Sequence, residues 1–182
     1  MMRIIAGEYK GRTIEMPNGI RPTSDKVREA LFDILKSRME GAIFLDLYCG
    51  SGAIGIEAIS RGASHITFVD NNNNCISVLN KNIAKLGIQK AMYDIYNKDC
   101  LKGIKELSGA GKLFNIVFLD PPYYKDLAKN TLIELSKCDI LTPYAAVVAE
   151  VFKKEALPEE IGALRKTRSY KYGDTILEVF GK

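Results

Sequence analysis

The run AIFLDLYCGSGAIG, residues 42–55, decides the fold. Its first part is apolar and β-like, with Asp46 set into it just ahead of Gly50, Gly52 and Gly55. These glycines fit G-x-G-x-x-G after a strand and before a helix. That spacing allows close backbone approach, because a side chain there would collide with a ligand resting on the loop. A second strand-like run, HITFVD, ends at Asp70, twenty residues after Gly50. A carboxylate there can accept hydrogen bonds from ribose hydroxyls. Together these features point to a nucleotide-like cofactor at the carboxyl end of a sheet.

Outward from this unit, strand and helix alternate. Further strand-like runs are MYDIYN, NIVFLD and AAVVAEVF, separated by helical stretches with stops at Gly62 and Gly87. A β-α-β-α order with near-continuous apolar strands makes a mostly parallel sheet covered on both faces, an α/β fold. The chain ends in RKTRSYKYG and TILEVFGK, which read as an antiparallel hairpin joining that sheet. Ahead of the core, RIIAG and RTIEM flank Glu8-Tyr9-Lys10-Gly11 as a small N-terminal hairpin. Arg21-Pro22-Thr23 then leads into a helix capped by Thr23, Ser24 or Asp25. Val27, Ala30, Leu31, Ile34 and Leu35 form its apolar face. The expectation is one domain over residues 1–182, with the hairpin in 1–20 and the catalytic core in 21–182.

Length and composition agree. At about 100–200 residues per domain, 182 residues make one domain. A hydrophobic fraction of 47% and a charged fraction of 26% are ordinary for a globular protein and exclude collagen, coiled coil and wholesale disorder. No apolar run reaches the roughly 20 residues of a membrane span, and the first residues lack a signal-peptide core, so a cytoplasmic protein is expected. Cys49, Cys75, Cys100 and Cys138 are widely spaced and the chain has one histidine, His65, which excludes a zinc cluster; reduced, mostly buried thiols are expected. The net charge is +4, gathered at the two ends: residues 1–28 hold six basic against three acidic side chains, and 153–182 hold seven against five. Basic ends suit a polyanion binder or an ordinary solvated surface.

The sharpest chemical signal follows NIVFLD, which ends in Asp120-Pro121-Pro122-Tyr123. Two prolines cannot continue a central strand and make a stiff exit at its carboxyl edge. The Asp120 carboxylate and the Pro121 carbonyl are both acceptors, and two acceptors converging on one point suit an –NH2 donor. Tyr123 adds a flat face on which a base can stack. Asp46 bears on the cofactor: a carboxylate ahead of the glycines suits a cationic amino group, as in S-adenosylmethionine, and would repel the pyrophosphate of NAD.

Asp-Pro-Pro-Tyr resembles the motif of S-adenosylmethionine-dependent methyltransferases acting on exocyclic amines of nucleobases. With it, RIIAGEYKGR, RPTSDKVREALFDIL and FLDLYCGSGAIGIEAISRGA are similar, in order, to the motifs of the RsmD family of 16S rRNA guanine-N2 methyltransferases. The resemblance covers nearly the whole chain. It departs at Lys10 and Lys26, where arginine is usual, at Cys49 for alanine and at Asp70 for glutamate. It implies a Rossmann-like class I methyltransferase sheet and S-adenosyl-L-methionine as cofactor, with no metal.

By the same resemblance, Asp46 and the loop Gly50, Ser51 and Gly52 hold the methionine end of the cofactor. Asp70, with Asn71 beside it, takes the ribose hydroxyls. Asp99 accepts from the adenine amine with Cys100 beside it, although Asp99 also reads as the N-cap of the helix in KDCLKGIKEL. Thr23 belongs to the cofactor lid. Asp120, Pro121 and Tyr123 carry catalysis, and Arg3, Lys10, Arg12 and Arg21 contact phosphate. The implied partner is 16S rRNA within a small-subunit or assembly particle. Three other readings remain at this point: an adenine-N6 or cytosine-N4 amino-methyltransferase, an NAD oxidoreductase, and an RNA-binding module without catalysis.

Overall fold

The computed structural model describes residues 1–19, 23–123 and 126–182. Arg21 lies outside the described residues. Two short strands, β1 (Met2–Arg3) and β2 (Thr13–Ile14), pair antiparallel and precede α1 (Asp25–Leu35). Then follow β3 (Ile43–Leu47), α2 (Ala53–Ser60), β4 (His65–Asp70), α3 (Asn73–Leu86), β5 (Tyr93–Asn97), α4 (Cys100–Gly109) and β6 (Phe114–Leu119). The rest is α5 (Leu127–Lys137), β7 (Leu141–Phe152), β8 (Glu160–Ile161), β9 (Leu164–Tyr172) and β10 (Thr175–Gly181). Strands β3 to β10 make one sheet in the order β5-β4-β3-β6-β7-β10-β9-β8. The pairs among β5, β4, β3, β6 and β7 are parallel, and β10, β9 and β8 add in antiparallel sense. This is the mostly parallel α/β sheet with a C-terminal antiparallel hairpin read from the sequence. The order reverses between β3 and β6, and ligands of open α/β sheets bind at such a switch point.

Alternate residues of the central strands feed two cores. Phe44, Phe68, Ile116, Phe118 and Val148 pack under the N-terminal half of the chain, and Leu45, Leu47, Val69, Val117 and Leu119 pack with residues of α4 and α5. Each fully buried Phe contributes about 1.5–3 kcal/mol relative to exposure. Among the described residues, no helix is long and apolar enough to cross a membrane. Cys49, Cys75 and Cys100 are buried, Cys138 is half-buried, and all four are free thiols.

The N-terminal hairpin differs from its expectation in extent. Each strand has two residues. The backbone N–H groups of Ile5 and Ala6 instead donate to the buried carboxylate of Glu57 on α2, at 2.8 and 3.0 Å. Tyr9 N–H donates to Ser60 Oγ at 2.9 Å. Asn82 of α3 completes the clamp: its Oδ1 accepts from Glu15 N–H at 2.7 Å, and its Nδ2 donates to Glu15 O and Ser51 O, both at 3.0 Å. Met2, Ile4, Tyr9 and Ile14 are part of the same core as Phe44 and Phe68. The buried face of α1 also includes Arg28 and Phe32, which the apolar pattern omitted. Arg28 is wholly buried and donates to the Arg3 carbonyl and to Asp25 Oδ1, both at 2.8 Å. It ties β1 to the helix start, which Ser24 caps by accepting from Val27 N–H.

Candidate active site

Local chemistry at the ends of β3, β4 and β6 builds the site. The chain leaves β3 through Tyr48, whose φ of 60° is left-handed, a conformation that costs a non-glycine residue about 1–2 kcal/mol. Its hydroxyl is held against Thr131 Oγ1 at 2.8 Å. At Gly50 the φ is 55°, and no atom lies within 4 Å of where a Cβ would stand. Gly50 therefore leaves open space at the loop. Gly55 serves packing instead: a Cβ there would lie 2.2 Å from Phe68 Cε1. Gly52 likewise would meet Leu79 Cδ1 at 2.3 Å. Gly50 thus leaves space open on the loop, Gly55 lets α2 settle on the sheet, and Gly52 lets α3 pack close behind the loop.

Two carboxylates fix this loop. Asp46 Oδ2 accepts from Gly55 N–H at 2.9 Å. Asp70 accepts from Gly50 N–H through Oδ2 and from Asn72 N–H through Oδ1, each at 2.8 Å. Gly50 N–H thus ties the loop after β3 to the end of β4. From the other side, Thr23 Oγ1 donates to Asp120 Oδ2 at 3.2 Å.

A cleft of about 520 Å³ opens between these loops. It brings together Thr23, Asp46, Gly50, Ser51, Asp70, Asn71, Asp120, Pro121 and Tyr123. Gly52 lies behind it, as the N-cap of α2. Asp99 and Cys100 are not among its lining residues. The Asp99 carboxylate accepts from Leu101 and Lys102 N–H as the N-cap of α4, and the Cys100 thiol is buried toward Val69 O. Tyr123 packs against Phe152 with ring centroids 5.7 Å apart.

The expected phosphate contacts sit elsewhere. Arg3 and Lys10 are exposed on the hairpin. Arg12 is also exposed, but its guanidinium donates to Leu86 O at 3.2 Å and Lys85 O at 3.0 Å, at the end of α3.

The lining also contains residues that motif reading left out: Met2 and Met16 from the hairpin, Tyr48, Glu150 from β7 and Thr175 from β10. The methionines carried no sequence signal. Glu150 did, since it interrupts the apolar run AAVVAEVF much as Asp46 interrupts AIFLDLY.

The electrostatics are one-sided. Four carboxylates line the cleft, Asp46, Asp70, Asp120 and Glu150, with no Lys, Arg or His among its described lining residues. Burial pushes the Asp46 carboxyl up to about 8, against the Gly55 hydrogen bond that lowers it, and the charges of Asp70 and Asp120 raise it further. Burial also raises Asp120, against the Thr23 hydroxyl. Carboxylates so placed are stabilised by a cation, and they repel phosphate. Of these acceptors, Asp46 and Asp70 at the glycine loop fit the cationic S-adenosylmethionine and oppose a dinucleotide. Burial raises the Cys49 thiol well above its ordinary value and the Cys75 thiol to about 11, so the described lining residues hold no ready thiolate nucleophile.

Sheet order, glycine loop and the acid-Pro-Pro-Tyr exit define a class I, S-adenosylmethionine-dependent methyltransferase. A family model described as "Conserved hypothetical protein 95" matches residues 2–181. Ribosomal RNA small subunit methyltransferase D of Escherichia coli (strain K12) is 35% identical over 159 residues, covering 86% of this chain and 78% of that protein. Its namesake from Haemophilus influenzae is 34% identical over 158 residues, covering 86% and 81%. The solved structure of yhhF from Escherichia coli matches with a TM-score of 0.88 and 31% identity, covering 100% of this chain and 97% of that one. The chain belongs to the RsmD family of methyltransferases.

Proposed function

We propose that this protein transfers a methyl group from S-adenosylmethionine to the exocyclic N2 of a guanine in 16S ribosomal RNA. The observation that carries the chemistry is the juxtaposition of two half-sites in one cleft. Asp46, Gly50 and Asp70 form a cation-accepting, ribose-accepting half, and Asp120, Pro121 and Tyr123 form an amine-accepting half. The substrate class rests on the names of the family relatives, which are small-subunit rRNA methyltransferases.

The cofactor supplies a methyl group on a sulfonium that departs as a neutral thioether. The protein must therefore improve the nucleophile, an aromatic amine whose lone pair is delocalised into the ring. Asp120 and the Pro121 carbonyl accept its two N–H bonds and turn the lone pair toward the methyl. Asp120 then faces positive charge growing on nitrogen, which its carboxylate stabilises more in the transition state than in the ground state. After attack the methylated nitrogen is cationic and strongly acidic and gives its proton to water, so no strong base is needed. Tyr123 stacks on the base, which must be unstacked from the RNA to enter. Arg3 and Lys10 contact phosphate and fix position without reading sequence. The substrate is rRNA within a small-subunit or assembly particle.

Mass spectrometry of small-subunit rRNA nucleosides tests this reading. A strain lacking the protein should lose one N2-methylguanosine, and the purified protein with S-adenosylmethionine should restore it. An unchanged nucleoside profile would contradict the reading.

A further inference from the structure

The carboxyl edge of the sheet carries an acidic side chain that neither cofactor binding nor amine orientation uses. Glu150, near the end of β7, is 4% exposed and lines the cleft. β6 and β7 run parallel with Leu119 beside Ala149. Asp120, just past β6, and Glu150, still within β7, are therefore side by side, with backbones about 4.8 Å apart. Their side chains share a face. Phe118 and Val148 lie two residues earlier in the same core, and strand residues two apart point the same way. Across the sheet order β4, β3, β6, β7, the carboxylates run Asp70, Asp46, Asp120, Glu150. Glu150 is thus on the far side of Asp120 from the glycine loop, where the rest of a base held by its amine would lie.

We propose that Glu150 selects guanine by accepting a hydrogen bond from its ring N1–H; this rests on the amine-methylation reading above. Asp120 and the Pro121 carbonyl can hold the amine of guanine, adenine or cytosine alike, so they do not discriminate. The bases differ at the ring nitrogens beside the amine. Guanine's C2 amine stands between N3, which presents a lone pair, and N1, which carries a hydrogen. In adenine the one ring nitrogen beside the amine is N1 and in cytosine N3, and each presents a lone pair. A carboxylate only accepts hydrogen bonds, so Glu150 pairs with guanine and faces a lone pair in the other two. A site built to hydrogen-bond a substrate N–H rejects an analogue that presents a lone pair there by as much as about 10⁴–10⁵. Adjacent strands thus divide the labour: β6 orients the reacting amine and β7 reads which base carries it.

The test uses rRNA with guanine, 2-aminopurine or adenine at the acceptor position mapped in the wild type. 2-Aminopurine keeps the C2 amine but has a lone pair at N1. The wild-type protein should favour guanine over 2-aminopurine by at least about 10²-fold in kcat/KM. Glu150→Gln offers an amide N–H to that lone pair, so the ratio should narrow to within about tenfold, by loss on guanine and gain on 2-aminopurine. A thermal melt like that of the wild type shows that the variant is folded, and equal use of the two bases by the wild type counts against Glu150 without any variant. Equal use of the two bases by the wild type, or an unaltered ratio in Glu150→Gln, overturns the role of Glu150 and leaves amine methylation standing. Methyl found on adenine N6 or cytosine N4 in the wild type overturns both.

Discussion

Thr23 and Asp120 stand 97 positions apart in sequence, and the hydroxyl of one donates to the carboxylate of the other at 3.2 Å. The bond joins the segment ahead of α1 to the acid at the end of β6. A residue read as part of a cofactor lid is therefore also a hydrogen-bond partner of the acid proposed to hold the amine.

Removing that hydroxyl should move the pH dependence of methyl transfer. Asp120 acts as a carboxylate, so activity is lost as pH falls through its raised pKa. The Thr23 bond lowers that pKa, so Thr23→Val raises it further and the loss begins at higher pH. A hydrogen bond to a charged group contributes about 1.5–3 kcal/mol, and one pKa unit is about 1.4 kcal/mol. The acidic limb should shift upward by roughly one unit, and Thr23→Ser should restore it. A pH–rate profile under single-turnover conditions reads the shift.

The glycine loop separates binding from packing. Gly50→Ala places its methyl in open space, so the fold should lose only about 1 kcal/mol to the left-handed φ, while cofactor affinity drops at least tenfold. Gly55→Ala drives its methyl into Phe68 and should cost about 1–3 kcal/mol of stability. Thermal melts paired with cofactor titrations distinguish the two.

Asp46 makes cofactor binding pH-dependent. Its folded-state pKa of about 8 lies above the ordinary carboxyl value near 4. The stability it contributes is therefore present at low pH and lost as pH rises through about 8. A bound cation favours the carboxylate, so binding releases a proton. Affinity should rise by up to about tenfold per pH unit below pH 8. Calorimetry in buffers of different ionisation enthalpy measures the released proton, and Asp46→Asn should abolish it.

The basic residues of the hairpin should divide. Charge reversal at Arg3 and Lys10 should weaken RNA binding and flatten its salt dependence by about 0.7–0.9 for each phosphate no longer neutralised, with cofactor affinity unchanged. Arg12→Ala should instead lower stability by about 1 kcal/mol, because its guanidinium is spent on the carbonyls closing α3. Filter binding across a salt series, with melts alongside, tests both. Equal loss of RNA and cofactor binding at Arg3 and Lys10 would make the hairpin a folding element only.

Local patterns carried most of the fold. Alternation of apolar runs with glycine stops placed β3 to β7 within a few residues, and the carboxyl-edge acids followed from where each run ended. The N-terminal hairpin forms where the sequence placed it, but its strands are short because the backbone donors of Ile5, Ala6 and Tyr9 are taken by Glu57 and Ser60, more than fifty positions away. The two-residue strand β8 had no periodicity to betray it. In the site, residues at strand ends were legible because each breaks an apolar run. Met2, Met16 and Thr175 reach the cleft only through tertiary packing. Asp99 had two readings in the sequence, and its carboxylate caps α4.

Asp120 is the residue on which the chemistry turns. In a single-turnover assay with saturating cofactor and rRNA, Asp120→Ala should retain binding of both and lose about 10²–10³ in methyl-transfer rate, as for other positioned groups that meet charge in the transition state. Asp120→Asn, which keeps an acceptor oxygen without the charge, should fall between. A near-normal rate in Asp120→Ala would contradict the mechanism and the assignment of this cleft to amine methylation.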